Sequence, residues 1–347
     1  MKLLVFLPNW IGDAVMASPA LRALRTRFAD AEIVACAKPH VADVLTGLDL
    51  VDRLIFRTNS PEHAEGAGWK LVRRLRRERF DVAVLLPNSF RSGLLAAAAG
   101  AKQRVGFARD GRRWLLTDSL APAPRGVPTP ALTEYLRLVE LLGCSADSRQ
   151  MELATTEEDE WQLARFWSKQ DPSLPERGVV TFNPGGAFGA AKHWPAASFA
   201  ELARQVATSD GRTVLVLCGP AERNMAREIV RLAAHPHVLS LADMPPSIGL
   251  TKAAVRQSEL LVTTDSGPRH FAAPFGVPVV TIFGPTHIAW SETDYEAATH
   301  VQLKVDCGPC QQRVCPLGHH QCMRDLSARQ VYAAALPWLR RKQQSAA

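Results

Sequence analysis

Two blocks of alternating strand-like and helix-like sequence predict an α/β protein built from two parallel-sheet domains. Three observations carry that expectation. The 347 residues exceed what one hydrophobic core usually serves. A composition of 47% hydrophobic and 22% charged residues is ordinary for a globular chain and excludes disorder, collagen and coiled coil. Between the two blocks, residues 145–177 loosen into acidic, Pro-containing sequence with room for one short helix, as a linker would.

In the first block, residues 3–7 read as a strand, followed by a polar turn and a helix over 18–28. Ser18 suits the N-cap and Pro19 the first helical position, where a missing N–H has no helical partner to lose. Strand-like runs recur at 32–36, 53–56 and 82–86. Trp69, Val72 and Leu75 repeat at helical spacing with arginines opposite. The second block reads as strands at 179–182, 213–217, 260–263 and 277–283, with helices at 197–206 and 222–233. The tail from 327 to 342 has a helical pattern. The expected boundaries are a first domain 1–150, a linker 151–177, a second domain 178–326 and a terminal helix 327–347.

The formal net charge of +7 is unevenly placed. Residues 1–150 hold 22 basic and 15 acidic side chains; the remainder holds 19 of each. The excess gathers in Lys70, Arg73, Arg74, Arg76, Arg77 and Arg79, and again in Lys102, Arg104, Arg109, Arg112 and Arg113. A basic half suggests an anionic partner: nucleic acid, a phospholipid surface or a phosphorylated substrate. No RNA-recognition or zinc-finger spacing accompanies it, which disfavours nucleic acid. The longest uncharged stretch, 271–291, is broken by Pro274, Pro278 and Pro285 and lacks the ~20 apolar helical residues of a membrane span. The first residues are too short for a signal-peptide core, so a cytoplasmic location is expected.

Three loops follow predicted strands, where open α/β sheets place their ligands. The first, Pro8-Asn-Trp-Ile-Gly-Asp13, offers a tight turn at Gly12 and a carboxylate ahead of a helix, where it could equally serve only to offset the helix dipole. The second, Asn183-Pro-Gly-Gly-Ala-Phe-Gly-Ala-Ala-Lys192, has glycines that let backbone amides approach a phosphate, and a lysine to add charge. It is not a Walker A loop, and no Gly-x-Gly-x-x-Gly fingerprint follows any strand, which argues against a nicotinamide dehydrogenase. The third, Thr264-Asp-Ser-Gly-Pro-Arg-His270, can open a helix whose free N–H groups face an anion.

Taken in this order, the three loops resemble the ADP-heptose:lipopolysaccharide heptosyltransferases of glycosyltransferase family 9. The first loop, the run Pro87-Asn-Ser-Phe90 and the second loop with Lys192-His-Trp-Pro195 are most similar to the heptosyltransferase II branch. The resemblance extends to about residue 290. It implies a GT-B fold, with two Rossmann-like domains facing a central cleft, the first holding acceptor and the second nucleotide sugar, and a terminal helix packing back on the first. It implies transfer of heptose from ADP-heptose to the lipopolysaccharide inner core with inversion, adding the second heptose. The acceptor, lipid A carrying Kdo and a first heptose, is anionic, as the basic half of the chain suits. The same resemblance implies a monomer working peripherally at the inner face of the cytoplasmic membrane.

By that likeness Asp13 is the base. Lys192, Glu222, Thr264, Asp265, Ser266, Gly267 and His270 are expected to hold the donor, and Asn9, Trp10, Asn88, Arg112 and Arg113 the acceptor. Helix amides and Lys192 are expected to stand in for a divalent ion, so that transfer requires no cofactor. One segment departs from the better-known members: Cys307, Cys310, Cys315 and Cys322 stand in C-x2-C-x4-C-x6-C spacing with His319 and His320 inside. That pattern resembles a small structural zinc loop, and free thiols are the competing reading in a reducing compartment. Other readings are heptosyltransferase I or a related ADP-heptose transferase, a GT-B sugar-nucleotide epimerase with its own acid/base set, and a non-catalytic anion-binding protein.

Overall fold

The computed structural model describes residues 1–345 apart from 64, 125 and 187. The chain divides into two compact units. The first is Met1–Ala154 with the short segment Ala289–Thr293; the second is Thr155–Ile288 with Asp294–Ala347.

The first unit holds strands β1 (Lys2–Phe6), β2 (Glu32–Ala37), β3 (Arg53–Phe56), β4 (Val82–Leu85), β5 (Gln103–Phe107) and β6 (Asp118–Leu120). All pair in parallel, in the order β3-β2-β1-β4-β5-β6. The second unit holds β7 (Val179–Asn183), β8 (Thr213–Val216), β9 (Val238–Ser240), β10 (Leu260–Thr264), β11 (Val279–Phe283) and β12 (Ala298–Gln302). Their order, β12-β11-β10-β7-β8-β9, is the same topology read from the other edge, again all parallel. Both are Rossmann-type sheets, so each has one switch point where connections leave in opposite directions: β1/β4 in the first and β7/β10 in the second. Central strands such as β1 and β10 are buried along nearly their whole length, as sheets covered on both faces require.

The predicted strands are all present, and four more complete the sheets. β5 was hidden by its Gln-Arg start and Gly106, while β6 and β9 have only three residues each. β12 is half-buried throughout and carries no continuous apolar run. In the helix Gly68–Glu78 the inward pair is Leu71 and Leu75, with Val72 partly buried; Trp69, expected on that stripe, is 72% exposed. Ser18 is not a cap. It lies inside the helix Ser18–Arg27, where its hydroxyl donates to Val15 O (2.7 Å) and accepts from Glu152 N (2.8 Å).

Of the expected linker, residues 151–154 close the first unit and 155–177 open the second. Its helix Glu157–Trp167, closed by a Thr156/Asp159 capping box, packs on helix Ile248–Gln257. The terminal helix Ala328–Ser345 lies on the second unit's sheet and on helix Ala196–Ser209. Ala328, Val331, Ala335 and Leu339 enter the same core as Phe199, Val262 and Trp194. Trp194 is fully buried and donates its indole N–H to Leu326 O at 2.8 Å. Burying one such ring is worth about 4–6 kcal/mol by area, which explains why the tail stays on this core. Among the described residues, no helix is long and apolar enough to cross a membrane.

Candidate functional site

Each switch point carries the loops that the sequence singled out. In the first unit, β1 runs into Asn9 and Trp10, then into the short helix Ile11–Met16, which carries Asp13 in its first turn. Trp10 is 46% exposed. Helix Ala131–Glu140 packs against this turn and brings Tyr135 into the field of Asp13. Burial holds the Tyr135 phenol well above its ordinary range, and the Asp13 carboxylate adds to that. Tyr135 gave no signal in the sequence beyond its place on an apolar helix face.

Beside it, β4 leads into Asn88 and Ser89, whose hydroxyl caps helix Phe90–Ala98 by accepting Ser92 N. Arg112, expected to meet acceptor, is instead completely buried. Its guanidinium donates to Pro87 O (2.5 Å), Phe107 O (2.9 Å), Ser89 O (3.2 Å), Ser92 Oγ (2.8 Å) and Asn88 Oδ1 (3.2 Å). Burial pushes its pKa down to about 10, still far above physiological pH, so the charge persists. Hydrogen bonds from a charged donor contribute about 1.5–3 kcal/mol each, enough together to offset several kcal/mol of desolvation. Arg112 therefore staples the Asn88 loop and engages the Asn88 side-chain carbonyl. Arg113 is exposed.

Sequence reasoning missed a basic pocket at the ends of β2 and β3. Lys38, His40, Arg57 and Arg91 line a cavity of about 290 Å³, and among the described residues no carboxylate lines it. Arg57 donates to Asn9 Oδ1 at 2.8 Å, which links this pocket to the Asp13 turn. Its Nε is buried without a hydrogen-bond partner, a group that an incoming anion would satisfy. Its residues are scattered singly in sequence, so no motif marks them.

In the second unit, Asn183 ends β7 and donates to Thr263 Oγ1 (3.1 Å) and Ser266 Oγ (2.8 Å) across the switch point. Thr264 Oγ1 donates to Gly185 O at 2.5 Å. These bonds lock the two loops together. Lys192 is nearly buried and donates to Asp265 O (2.9 Å) and Asp265 Oδ2 (2.5 Å), with its ammonium 4.6 Å from the Phe188 ring centre. Thr286 Oγ1 also donates to Asp265 Oδ2 (2.6 Å), and Arg269 Nη1 lies 3.7 Å from Oδ1. Burial opposes ionisation of Asp265, but Lys192 and Arg269 outweigh it and hold the carboxyl below its ordinary range.

Asp265 and His270, expected on sugar hydroxyls or phosphate, are thus enclosed. Asp265 orients Lys192. His270 is 5% exposed, and burial, helped by Arg269, holds its ring well below the usual imidazole range, so it is neutral. Nor does the third loop open a long helix. Gly267–Phe271 is a five-residue 3-10 turn, too short for a strong dipole. The positive charge comes instead from Lys192 and from Arg269, which sequence reasoning passed over. Glu222 sits at the end of the turn after β8, close against two glycines: a Cβ at Gly219 would lie 2.7 Å from its Oε2, and one at Gly185 2.9 Å from its Cγ. Ser266 and Gly267 are half-buried beside the glycine loop. The four clustered cysteines are free and partly buried on the segment after β12.

Residues 68–321 match the sequence profile of glycosyltransferase family 9 (heptosyltransferase). The chain belongs to this family. It is 30% identical over 96% of its length to lipooligosaccharide heptosyltransferase 2 of Campylobacter jejuni, covering 97% of that protein. It is 26% identical over 95% of its length to lipopolysaccharide heptosyltransferase 2 of Escherichia coli, covering 96%. Among solved structures, E. coli ADP-heptose LPS heptosyltransferase II superposes with a TM-score of 0.80 at 25% identity, over 99% of this chain and 100% of that one. A family 9 glycosyltransferase from Veillonella parvula gives 0.84 at 23% identity, over 97% of each chain, a likeness of fold. The chain is a glycosyltransferase with two Rossmann-like sheets of the GT-B class.

Proposed function

We propose that this family 9 enzyme moves heptose from ADP-heptose to the lipopolysaccharide inner core as a heptosyltransferase II, with inversion at the anomeric carbon. The likeness to heptosyltransferases 2 along nearly the whole chain carries this reading. In the reaction, an acceptor hydroxyl attacks the anomeric carbon and its proton passes to the Asp13 carboxylate. The bond from that carbon to the β-phosphate oxygen breaks, and ADP leaves with the electron pair. Lys192, pre-oriented by Asp265, meets the charge that grows on the diphosphate. Glu222 and the Ser266–Gly267 turn contact the rest of the donor. Asn9, Asn88, Lys38, Arg57 and Arg91 form the acceptor's anionic subsite, in place of Arg112.

Exposed Phe90, Leu94 and Trp114 stand among Arg91 and Arg113. Phe90 and Trp114 are paired at 6.1 Å. Apolar tips interspersed with basic side chains suit an anionic lipid surface, which supports peripheral action at the membrane. The test is incubation of the pure protein with ADP-heptose and lipopolysaccharide acceptors lacking heptose or carrying one. ADP release with a one-heptose mass gain only on the acceptor already carrying heptose is the expected result. Gain on the heptose-free acceptor would make it a heptosyltransferase I.

A further inference from the structure

The stretch between β12 and the helix Gln321–Arg324 has no regular secondary structure, and a loop of that length in a compact unit is uncommon without something to hold it. Cys307, Cys310, Cys315 and Cys322 line one cavity of about 50 Å³ together with His319 and His320, against Ala191 and Pro285. That space suits one ion and is far below the size of a metabolite pocket.

Two contacts orient the side chains that stand around the cysteines. His319 Nδ1 accepts from Gln321 N at 3.1 Å, and its Nε2 lies 4.0 Å from Cys307 Sγ. His320 Nε2 stands 2.7 Å from Ala191 O and donates to it. The histidines are therefore orienting groups, as outer-shell partners of metal ligands are, and the cysteines are the ligand set. As the side chains stand, no three His, Cys, Asp or Glu groups among the described residues are gathered to hold an ion. Binding must therefore draw the sulfurs in to about 2.3 Å from the metal.

We infer that Cys307, Cys310, Cys315 and Cys322 form a tetrathiolate site for one tetrahedral metal ion, zinc or iron, and that this ion clamps the cysteine segment onto the loop bearing Lys192. Four-sulfur sets select those metals. The segment already touches that loop. Arg313 O accepts from Ala191 N at 3.0 Å, the Arg313 guanidinium lies 5.4 Å from the Phe188 ring centre, and Pro285 O accepts from Gln311 N at 2.8 Å. A Cβ at Gly189 would collide with Arg313 O, so that glycine permits the docking.

Elemental analysis of the full chain, purified under reducing conditions without chelator, should find about one zinc or iron per chain. The double variant Cys307→Ser/Cys310→Ser should lose it, whereas Cys307→His, which keeps a ligand, should retain it. Cobalt-refilled protein should show sulfur-to-metal charge transfer, a readout independent of catalysis. Less than ~0.1 equivalent of metal, where a structural site fills stoichiometrically, would overturn the site, as would metal indifferent to the double variant, or disulfides found by alkylation mapping of unreduced protein. The clamp rests on the proposed donor reading and is tested separately. Stripping the metal should raise the ADP-heptose KM several-fold, and an unchanged KM in active protein would overturn the clamp while the metal count still judges the site.

Discussion

The two units share one strand order and place an asparagine after or at the end of the leading strand, Asn9 in the first and Asn183 in the second. Each also buries a cation at the switch point, but the partners differ. Arg112 is held by carbonyls, a hydroxyl and an amide, while Lys192 is held by the Asp265 carboxylate. Neutral partners leave a cation's charge uncancelled, and a planar five-donor guanidinium can satisfy five of them at once. A carboxylate partner fixes a single ammonium in place at the expense of part of its charge. The first arrangement braces a loop; the second aims a charge.

The largest expected effect separates the acid–base group from both devices. Asp13→Asn should lower turnover by about 100-fold or more while ADP-heptose affinity stays near the wild-type value, because the amide keeps the shape and cannot take a proton. Isothermal titration beside steady-state kinetics reads both quantities. A loss smaller than tenfold would return Asp13 to the role of a helix-start carboxylate.

Arg112→Met tests the brace. It takes the charged donor from the Pro87, Phe107 and Ser89 carbonyls, which keep weaker bonds from Ser92 and Arg109, at a cost of about 2–4 kcal/mol of stability, since hydrogen bonds from a charged group contribute roughly 1.5–3 each. Amide exchange in residues 89–92 should speed up with it. A kinetic defect with unchanged stability and exchange would show that Arg112 meets the acceptor directly, as the sequence alone suggests. Lys192→Ala and Asp265→Asn test the aimed charge. Each should reduce kcat/KM for ADP-heptose about tenfold, or ~1.4 kcal/mol, Lys192→Ala through loss of the charge and Asp265→Asn through its misplacement. If Asp265→Asn left kcat/KM unchanged, its carboxylate would be a structural partner only.

Much of this was legible beforehand for a physical reason. Strands buried on both faces, such as β1 and β10, write themselves as apolar runs, and loops follow their ends, so the turns that bear Asp13, Lys192 and Asp265 could be placed beforehand. What the sequence could not disclose is which polar side chains turn inward. Arg112 and Arg113 are neighbours of the same charge, yet one is fully buried and the other exposed. The basic pocket joins residues from three separate elements, and only the sheet's twist and order bring Lys38, Arg57 and Arg91 together. The terminal helix shows the same limit: its apolar pattern specifies that it packs, not where.

The pH response separates two buried groups of the second unit. His270 is neutral in the folded second unit, where burial depresses its pKa. The unfolded chain binds that proton more readily, so stability from this group is complete above about pH 6.5 and declines as pH falls toward the folded-state value. His270→Gln should flatten the decline in urea midpoint between pH 7 and 5. Asp265, depressed as well, keeps its contribution above the ordinary carboxylate range, ~3.9, and loses it only as pH falls further through its own lower value. An unaltered pH slope in the His270 variant would mean that other groups set it.

The smallest effect concerns the exposed charge of the first unit. Arg73 and Arg76 lie on the outer face of helix Gly68–Glu78, and Arg113 lies beside exposed Trp114. Reversing all three to glutamate leaves the buried Arg112 brace intact. It should raise the KM for a phosphorylated, membrane-held acceptor a few-fold and leave the donor KM alone, because these side chains act through the field and not by contact. Exposed charges are screened beyond ~10 Å at about 0.1 M salt, so the difference should shrink as salt rises. Binding to anionic vesicles should weaken in parallel, by about 1 kcal/mol for each basic residue close to the surface. A short soluble acceptor lacking the lipid provides the control. Equal, salt-independent KM values for both acceptors in the triple variant would mean that the basic face only keeps the protein dissolved, and that anion recognition in the first unit resides wholly in the pocket around Arg57.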